Sequence, residues 1–249
     1  MRTRTVKAKA ATILVCDAAA KMVEWLKAQD PDKLLSKARQ VKDRFAQHRV
    51  TEVSTPCGDF LLKRYPRRLR GSKALRELKR GMVLSQRGIP CIPPVAVLRT
   101  DNYDLVITPY RRELTSGINL VLGGLWEELP LRRRILVVET VARLVGTLHG
   151  AGFTHGDLNA SNILFENLYE GRMCCYLVDL GSARARRTLR ARVKDLSQLW
   201  RATRRIVTLR QALRFLLLYC RITAQKPRHL LERLAKRVEW LDKHKPLLE

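Results

Sequence analysis

Residues 152–165 read GFTHGDLNASNILF and place short polar side chains between apolar stretches. From His155 to Asn162 the chain carries an imidazole, a carboxylate and two amides before it returns to the strand-like NILF. Short polar side chains of this kind favour turns, because they hydrogen-bond to nearby backbone groups. We interpret this stretch as a loop that holds polar groups in fixed positions for use on a ligand.

The composition of the whole chain sets limits on what this loop can serve. A chain of 249 residues with 46% hydrophobic residues can form one two-lobed domain or two small ones, each with a core. The formal net charge of +26 predicts attraction to a polyanion such as nucleic acid, anionic lipid or a phosphorylated glycan. A merely well-solvated surface is the alternative. Basic residues are not interleaved with aromatic ones, which argues against nucleic acid.

The cysteines and the N-terminus bear on the compartment. Six cysteines show no C-x-x-C or C-x-x-H spacing, which argues against zinc and, with no signal peptide evident, favours a reducing compartment. The apolar run AATILVC is too short to span a bilayer, which needs about 20 residues. We therefore expect a soluble cytoplasmic protein without a transmembrane helix.

The first half of the chain reads as strands with one prominent helix. CDAAAKMVEWLKAQD has helical spacing, so we predict a helical N-terminal extension over residues 1–32. HRVTEVSTPCGDFLLKRY alternates about a Pro-Cys-Gly-Asp turn and predicts a β-hairpin with Lys63 near its end. SKALRELKRGMVLSQRG predicts a helix, and PPVAVLR with YDLVITPY a second strand pair. Residues 33–110 would form the N-terminal nucleotide-binding lobe.

The second half is mostly helical. PLRRRILVVETVARLVGTLHGAG predicts a long helix that leads into the loop, and NILFEN and MCCYLVDLG predict two short strands. After Gly181 we predict helices, the first opening near Val193. Residues 111–249 would form the C-terminal catalytic and acceptor lobe. The expected fold is α+β and bilobal, with a small β-rich lobe and a larger helical lobe that meet near ITPYRREL.

The loop matches a known arrangement of catalytic groups. His-x-Asp-x-x-x-x-Asn, followed by a strand that ends in Asp-x-Gly, is the pattern of protein-kinase-like enzymes. Asp157 would accept the proton of the acceptor hydroxyl, while Asn162 and Asp179 would hold magnesium through oxygen. His155 would brace the loop, and Gly181 would let the chain turn sharply after the metal ligand. These assignments predict a kinase-like fold with ATP and Mg²⁺.

Residues upstream fit the same pattern in part. Lys63 and Glu77 match the lysine that contacts the α and β phosphates and the glutamate that positions it. A glycine-rich loop is missing, so another segment must cover the phosphates, and we suggest the backbone near residues 41–46. If Thr108 ends the last strand, the carbonyl of Pro109 and the amide of Arg111 would face the adenine.

The sequence resembles a known family. GDFLLKRYPRRLRGSKALRELKRGMVLSQRGIPCIPPVAVL, GTLHGAGFTHGDLNASNILF, YLVDLGSAR and RVKDLSQL look like the lipopolysaccharide kinases, from about residue 33 to about 205. The resemblance implies ATP, Mg²⁺ and transfer to a sugar hydroxyl, on heptose or 3-deoxy-D-manno-octulosonic acid, of the lipopolysaccharide core. It also implies a peripheral position at an anionic membrane surface, on the cytoplasmic face of the inner membrane. DLG and LGSAR stand where many members carry a second acidic residue or an aromatic, so the acceptor sugar stays open.

The segment after Gly181 supports a non-peptide acceptor. About a dozen residues separate Gly181 from the next predicted helix, without the Ala-Pro-Glu of peptide kinases. Asn159 stands where those enzymes usually place a lysine, and Arg184, Arg186 or Arg187 could supply the missing charge. A small atypical serine/threonine protein kinase and a nucleotide-binding scaffold without turnover remain as alternatives.

Overall fold

A computed structural model describes residues 3–7, 11–16, 20–37, 39–40, 50–67 and 72–245. The chain divides into two compact units. The first comprises Met1–Arg112 with Asp179–Gly181, and the second comprises Glu113–Val178 with Ser182–Glu249. The chain therefore passes from the first unit to the second within the ITPYRREL stretch, and three residues of the Asp-x-Gly turn belong to the first unit.

The first unit is built on an antiparallel sheet, which has seven strands among the described residues. Its spatial order is β1-β2-β6-β7-β5-β4-β3. The strands are β1 (Thr3–Lys7), β2 (Thr12–Cys16), β3 (Arg39–Gln40), β4 (Val50–Thr55), β5 (Gly58–Pro66), β6 (Ala96–Arg99) and β7 (Tyr103–Pro109). The predicted hairpin is confirmed, since β4 pairs with β5 in register from Val50↔Lys63 to Thr55↔Gly58.

Among the described residues, three helices cover this sheet: α1 (Ala20–Lys27), α2 (Pro31–Lys37) and α3 (Lys73–Gln86). Successive residues of a strand point to opposite faces, and β7 shows the result. Leu105 and Ile107 join a core cluster with residues of α1 and α2, whereas Val106 joins a second cluster with residues of α3. The helix α3 is therefore packed on one face of the sheet, the face towards which Val106 points.

The N-terminus differs from the prediction of a helical extension over residues 1–32. Strands β1 and β2 precede α1, and β2 pairs with β6 through Ile13↔Leu98 and Leu14↔Val97. Ile13 and Val15 are buried in the core, so the apolar run forms a strand because a partner strand far along the chain accepts it. Residues 41–46, suggested as a phosphate cover, lie outside the described residues.

The second unit is mainly helical. Its helices are α4 (Gly117–Leu122), α5 (Leu125–Glu128), α6 (Leu131–Gly150), α7 (Leu189–Thr203), α8 (Leu209–Thr223) and α9 (Pro227–His244). Its short strands are β8 (Thr115–Ser116), β9 (Phe153–Thr154), β10 (Ile163–Glu166), β11 (Cys174–Leu177) and β12 (Arg184–Ala185). They form a sheet of order β11-β10-β8 and a separate β9–β12 pair.

Packing of helices in the second unit is pairwise, with α6 against α8 and α7 against α9. A β-carbon placed on Gly146 of α6 would lie 2.9 Å from Ile222 of α8, so α6 and α8 approach closely there. Helix α7 begins at Leu189, earlier than the predicted opening near Val193, because Thr188 caps it by accepting a hydrogen bond from the amide of Ala191. Within the described ranges, no helix has the length and apolar character that crossing a bilayer requires.

Candidate active site

Lys63 lies on β5, between Val50 of β4 and Val106 of β7. Its ammonium Nζ is 2.7 Å from Oδ1 of Asp179 and 3.9 Å from Oε2 of Glu77. The Lys63 side chain is only 13% exposed, so these two carboxylates supply the negative charge that a nearly buried ammonium needs. The structure thus brings together three of the residues that the sequence assigned to nucleotide and metal binding.

Glu77 is the buried member of this group. It lies on the sheet-facing side of α3, and its Oε2 accepts a hydrogen bond of 2.7 Å from the Tyr65 hydroxyl. Burial raises the pKa of the Glu77 carboxyl, and the neighbouring Lys63 ammonium acts in the opposite direction. Burial also raises the pKa of Tyr65, with the Glu77 charge adding to the effect. The Tyr65 hydroxyl therefore keeps its proton and remains the donor of this hydrogen bond.

The Asp-x-Gly turn takes its shape from Asp179. Asp179 has a φ of 53°, in the left-handed region that non-glycine residues seldom adopt. Gly181 has no such φ and lies in the short 3-10 helix Leu180–Ser182, so the chain does turn there, but the strained residue is the predicted metal ligand itself. The carbonyl of Gly181 accepts a hydrogen bond from the Arg80 guanidinium on α3, which ties the turn to that helix.

The predicted catalytic loop is held by one buried carboxylate on α7. Asp195 is fully buried and accepts hydrogen bonds from the backbone amides of His155, at 2.6 Å, and Gly156, at 2.9 Å. Gly156 has a φ of 81°, and a β-carbon there would lie 2.6 Å from the carbonyl oxygen of Ser182. Only glycine fits this position, because both the dihedral angle and the space exclude a side chain.

Two histidines complete this hydrogen-bond network. His149 of α6 is buried, and its Nε2 donates to Asp195 at 3.2 Å while its Nδ1 accepts from the Tyr219 hydroxyl at 2.8 Å. Burial lowers the pKa of His149, so this ring is neutral and links three helices. His155 uses its Nε2 to donate to the carbonyl of Val178 at 2.9 Å, the bracing role that the sequence suggested.

Asp157 and Asn162 lie on this anchored loop. The Asn162 side-chain amide donates to the carbonyl of Asp157 at 2.8 Å, which orients the amide and leaves its Oδ1 as the oxygen suited to a metal. The Asp157 carboxylate is partly exposed, and Nε2 of Gln198 lies 3.5 Å from its Oδ1. A carboxylate that solvent can reach, on a loop fixed by its neighbours, suits proton transfer.

The donor chemistry fits magnesium. Asn162 and Asp179 offer hard oxygen atoms, and Mg²⁺ is usually held by one or two carboxylates together with substrate phosphates and water. No group of three histidine, cysteine or acidic side chains able to hold a metal occurs in the described part of the chain. Asn162 of the second unit and Asp179 of the first are thus each of a donor type that suits Mg²⁺.

For the predicted adenine contacts, the structure shows where the preceding strand ends. Strand β7 continues through Pro109, which pairs with Phe60, so it ends one residue beyond Thr108. The amide of the next residue, Tyr110, donates to the carbonyl of Asp59 at 2.9 Å. The contacts proposed for Pro109 and Arg111 stay a prediction.

Asp195, His149 and Tyr219 were missed as functional residues in the sequence. Asp195 carried a usable signal, because it stands on the apolar face of an amphipathic helix beside Leu196 and Leu199. A carboxylate in that position needs buried donors, and loop amides are a common source. His149 and Tyr219 gave no such signal, since their partners come from other helices.

Two features together define the protein-kinase-like class. The first is a lysine paired with a helix glutamate and with the aspartate of Asp-x-Gly, and the second is a His-x-Asp loop anchored on a buried aspartate. The model of the lipopolysaccharide kinase (Kdo/WaaP) family matches residues 113–219, which confirms the predicted resemblance.

Two similar proteins support this placement. The chain is 33% identical over 172 residues to the KEOPS complex subunit Bud32 of Pyrococcus abyssi (strain GE5 / Orsay), covering 69% of this chain and 65% of Bud32. It thus spans about two thirds of that relative's length. A solved structure described as WaaP in complex with acyl carrier protein has a TM-score of 0.66 at 23% identity, covering 96% of this chain and 97% of that one. The predicted α+β protein-kinase-like fold is confirmed.

Proposed function

We propose that this protein is an ATP- and Mg²⁺-dependent kinase that transfers the γ-phosphate to a sugar hydroxyl of the lipopolysaccharide core, on heptose or 3-deoxy-D-manno-octulosonic acid. The observation that carries the proposal is the fixed loop around Asp157. Its carboxylate is partly exposed, while the two preceding backbone amides are bonded to the buried Asp195. The loop is therefore held in position by the protein's own groups.

Each predicted residue has one task in this reaction. Asp157 accepts the proton of the acceptor hydroxyl, whose oxygen forms the new bond to phosphorus as the bond to the β-phosphate oxygen breaks and ADP leaves. Lys63 binds the α and β phosphates, and Glu77 positions Lys63. Asn162 and Asp179 would hold Mg²⁺, and the chemistry that Mg²⁺ supplies when bound is neutralisation of charge on the phosphate oxygens.

A sugar acceptor is favoured by the segment between the Asp-x-Gly turn and α7. Only residues 182–188 separate Gly181 from the first residue of α7. This length leaves no room for the platform on which peptide kinases bind an extended substrate. A compact acceptor such as a sugar of a glycolipid core requires no such platform.

The decisive experiment incubates the protein with labelled ATP and Mg²⁺, with lipopolysaccharide core and a generic protein as competing acceptors. We expect label on the core and little on the protein. Label on the protein alone would favour the atypical protein kinase, and nucleotide binding without label on either acceptor would favour the scaffold. Mass analysis of the labelled core then identifies the sugar and the hydroxyl.

We further propose a peripheral position at an anionic membrane surface, supported by the exposed face of α8. Leu209, Leu213 and Leu217 form one row at four-residue spacing and are 83%, 51% and 51% exposed. Arg210 follows the first leucine, Arg214, which follows the second, pairs with Glu139 of α6 at 2.6 Å, and α8 contains no acidic residue. Each cation near an anionic bilayer contributes about 1 kcal/mol, and a fully buried leucine about 1.5–3 kcal/mol.

Vesicle sedimentation tests this surface. The protein should bind vesicles that contain anionic lipid and should bind neutral vesicles far less. Added salt should weaken the binding to anionic vesicles steeply. Replacing Leu213 and Leu217 together by Ser should reduce binding at least tenfold, whereas Leu131→Ser, at an exposed leucine of α6, should change it little. Equal loss with both variants would place the membrane contact elsewhere.

A cavity of about 840 Å³ favours a second partner. Apolar side chains of α4, α6, α7, α8 and α9 line it, and Leu209 and Leu213 are both exposed lining residues, so the cavity reaches the surface there. The WaaP of the similar fold was solved with acyl carrier protein, and a fatty acyl chain is the chemical group that such a cavity suits. Stronger thermal stabilisation by acylated than by non-acylated carrier protein would support this partner, and equal effects would contradict it.

A further inference from the structure

Phosphoryl transfer places negative charge near the catalytic aspartate, and the loop itself carries no cation to meet it. Peptide kinases usually place a lysine two residues after that aspartate, and Asn159 occupies the position here. The arginines that the sequence offered instead are exposed, and the contacts that place them lie at the β9 region and Gly152 rather than at Asp157. Arg184 and the backbone of Arg186 pair with the β9 region, and the Arg187 side chain lies beside Gly152.

A lysine from α7 lies at this loop. The ammonium Nζ of Lys194 donates to the carbonyl oxygen of Gly156 at 2.8 Å, and Gly156 directly precedes Asp157. One helical turn further along α7, Gln198 lies 3.5 Å from the Asp157 carboxylate. Between them, the buried Asp195 fixes the register of α7 against the loop through its two bonds to backbone amides. Helix α7 therefore presents one ammonium and one amide beside the predicted base.

The charge of Lys194 is not used within the described part of the chain. Lys63 is held by two carboxylates, whereas Lys194 is exposed and makes no ion pair with any described carboxylate. An ammonium has three N–H donors, and the bond to Gly156 uses one of them. Two donors and a full positive charge thus remain beside Asp157, where the acceptor hydroxyl must lie for its proton to be taken.

We propose that Lys194 is the substrate-binding cation of the transfer site and contacts an anionic oxygen next to the acceptor hydroxyl, while Gln198 positions the Asp157 carboxylate. The inference rests on the proposed kinase activity. The anionic oxygen belongs either to the transferring phosphoryl group or to an acidic substituent of the acceptor sugar, a carboxylate or a phosphate. Both sources share the chemistry of an oxyanion that a point charge with spare donors binds.

The test compares Lys194→Met and Lys194→Arg with Lys236→Met, measured with a soluble, delipidated core acceptor. Lys236 is exposed on α9, so Lys236→Met is a matched control that removes one surface charge. Lys194→Met should lower kcat/KM for the acceptor about 10²-fold to 10³-fold, as loss of one oxyanion contact does. Lys194→Arg should restore a large part of this loss, and binding of ADP, which lacks the transferring phosphoryl group, should be unchanged in all three variants.

The form of the loss identifies the oxyanion. A lower kcat with all acceptors points to the transferring phosphoryl group, and a raised KM only for acceptors with the acidic substituent points to that substituent. Equal kcat/KM in Lys194→Met and Lys236→Met, on a wild-type protein that phosphorylates the core, would overturn the role of Lys194. A wild-type protein that phosphorylates neither sugar nor protein would instead contradict the proposed function itself.

Discussion

In the first unit Lys63 is held by two carboxylates, whereas in the second unit the loop around Asp157 is held by backbone amides bonded to one buried carboxylate. The two arrangements respond differently to a ligand. The Lys63 ammonium and the Asp179 carboxylate can each exchange their partner for a phosphate or a metal ion. The backbone amides bonded to Asp195 stay in place, because a ligand supplies no acceptor that would replace a buried carboxylate.

This difference indicates how the proposed enzyme divides its work. In the first unit, Lys63 and the two carboxylates neutralise one another until phosphate and Mg²⁺ replace these partners. Removing one of these side chains should therefore weaken nucleotide binding. The loop of the second unit is preorganised, so removal of the Asp157 carboxylate should lower kcat and leave nucleotide binding unchanged. Preorganised groups are effective because they need no rearrangement at the moment of reaction.

The largest expected effect separates the two aspartates. Asp157→Ala should lower kcat about 10²-fold to 10⁴-fold, the usual contribution of a general base, and leave nucleotide binding intact. Asp179→Ala should abolish Mg²⁺-dependent turnover and weaken Mg²⁺-dependent nucleotide binding as well. Calorimetric titration of ATP with and without Mg²⁺ distinguishes the two. An equal loss of nucleotide affinity in both variants would contradict the assigned roles.

The next effect concerns the anchor of the loop. Asp195→Asn removes one acceptor oxygen from a site where two amides and His149 donate. Buried hydrogen bonds to a charged group contribute about 1.5–3 kcal/mol each, so we expect the free energy of unfolding to fall by about 3 kcal/mol.

Asp242→Asn is the matched control for this variant. Asp242 pairs with Arg201 and Arg204 with its side chain 35% exposed, so its loss should be at most about 1 kcal/mol. Urea denaturation at neutral pH measures both. Similar losses in the two variants would mean that Asp195 is an ordinary ion-pair residue.

The same contrast explains what the sequence could and could not predict. The hairpin around Lys63 and the helix of Glu77 follow from local patterns, a turn signal and an amphipathic period, and both are observed. The catalytic loop follows from spacing within eight residues. Strand β2 was missed because one of its partners is β6, more than 80 residues further on, and β1 was missed with it because β1 pairs with β2.

The loop's support was missed for a related reason. Asp195 acts through contacts with residues about 40 positions earlier, and Tyr219 reaches His149 across 70 positions. Local pattern predicts which groups carry the chemistry, since they must be close together in the chain to form one loop. The residues that hold the loop need only be close in space.

A smaller effect tests the buried glutamate of the first unit. Tyr65→Phe removes the hydroxyl that donates to Glu77 and should lower the free energy of unfolding by about 1.5–2 kcal/mol, because the buried carboxylate loses a donor. In a Glu77→Gln background the same change should cost about 1 kcal/mol less, since a neutral amide is less costly to leave unpaired. Chemical denaturation of the four proteins measures the coupling. Additive changes would show that the Tyr65 hydroxyl acts independently of the Glu77 charge.

The smallest effect is a pH dependence that belongs to the second unit. Burial lowers the pKa of His149, so the folded protein keeps this ring neutral while the unfolded chain binds a proton below about pH 6.5. Unfolding then takes up a proton, and the stability falls as the pH drops below 6.5, by at most about 1.4 kcal/mol per pH unit from this one group. His149→Gln should flatten the fall in the free energy of unfolding between pH 7.5 and about pH 5.5. His229→Gln, at an exposed position of α9 that is solvated in both states, should leave the slope as in the wild type. If the slope of His149→Gln also equals that of the wild type, folding does not change the pKa of His149, and the neutral network of His149, Asp195 and Tyr219 described for the loop is wrong.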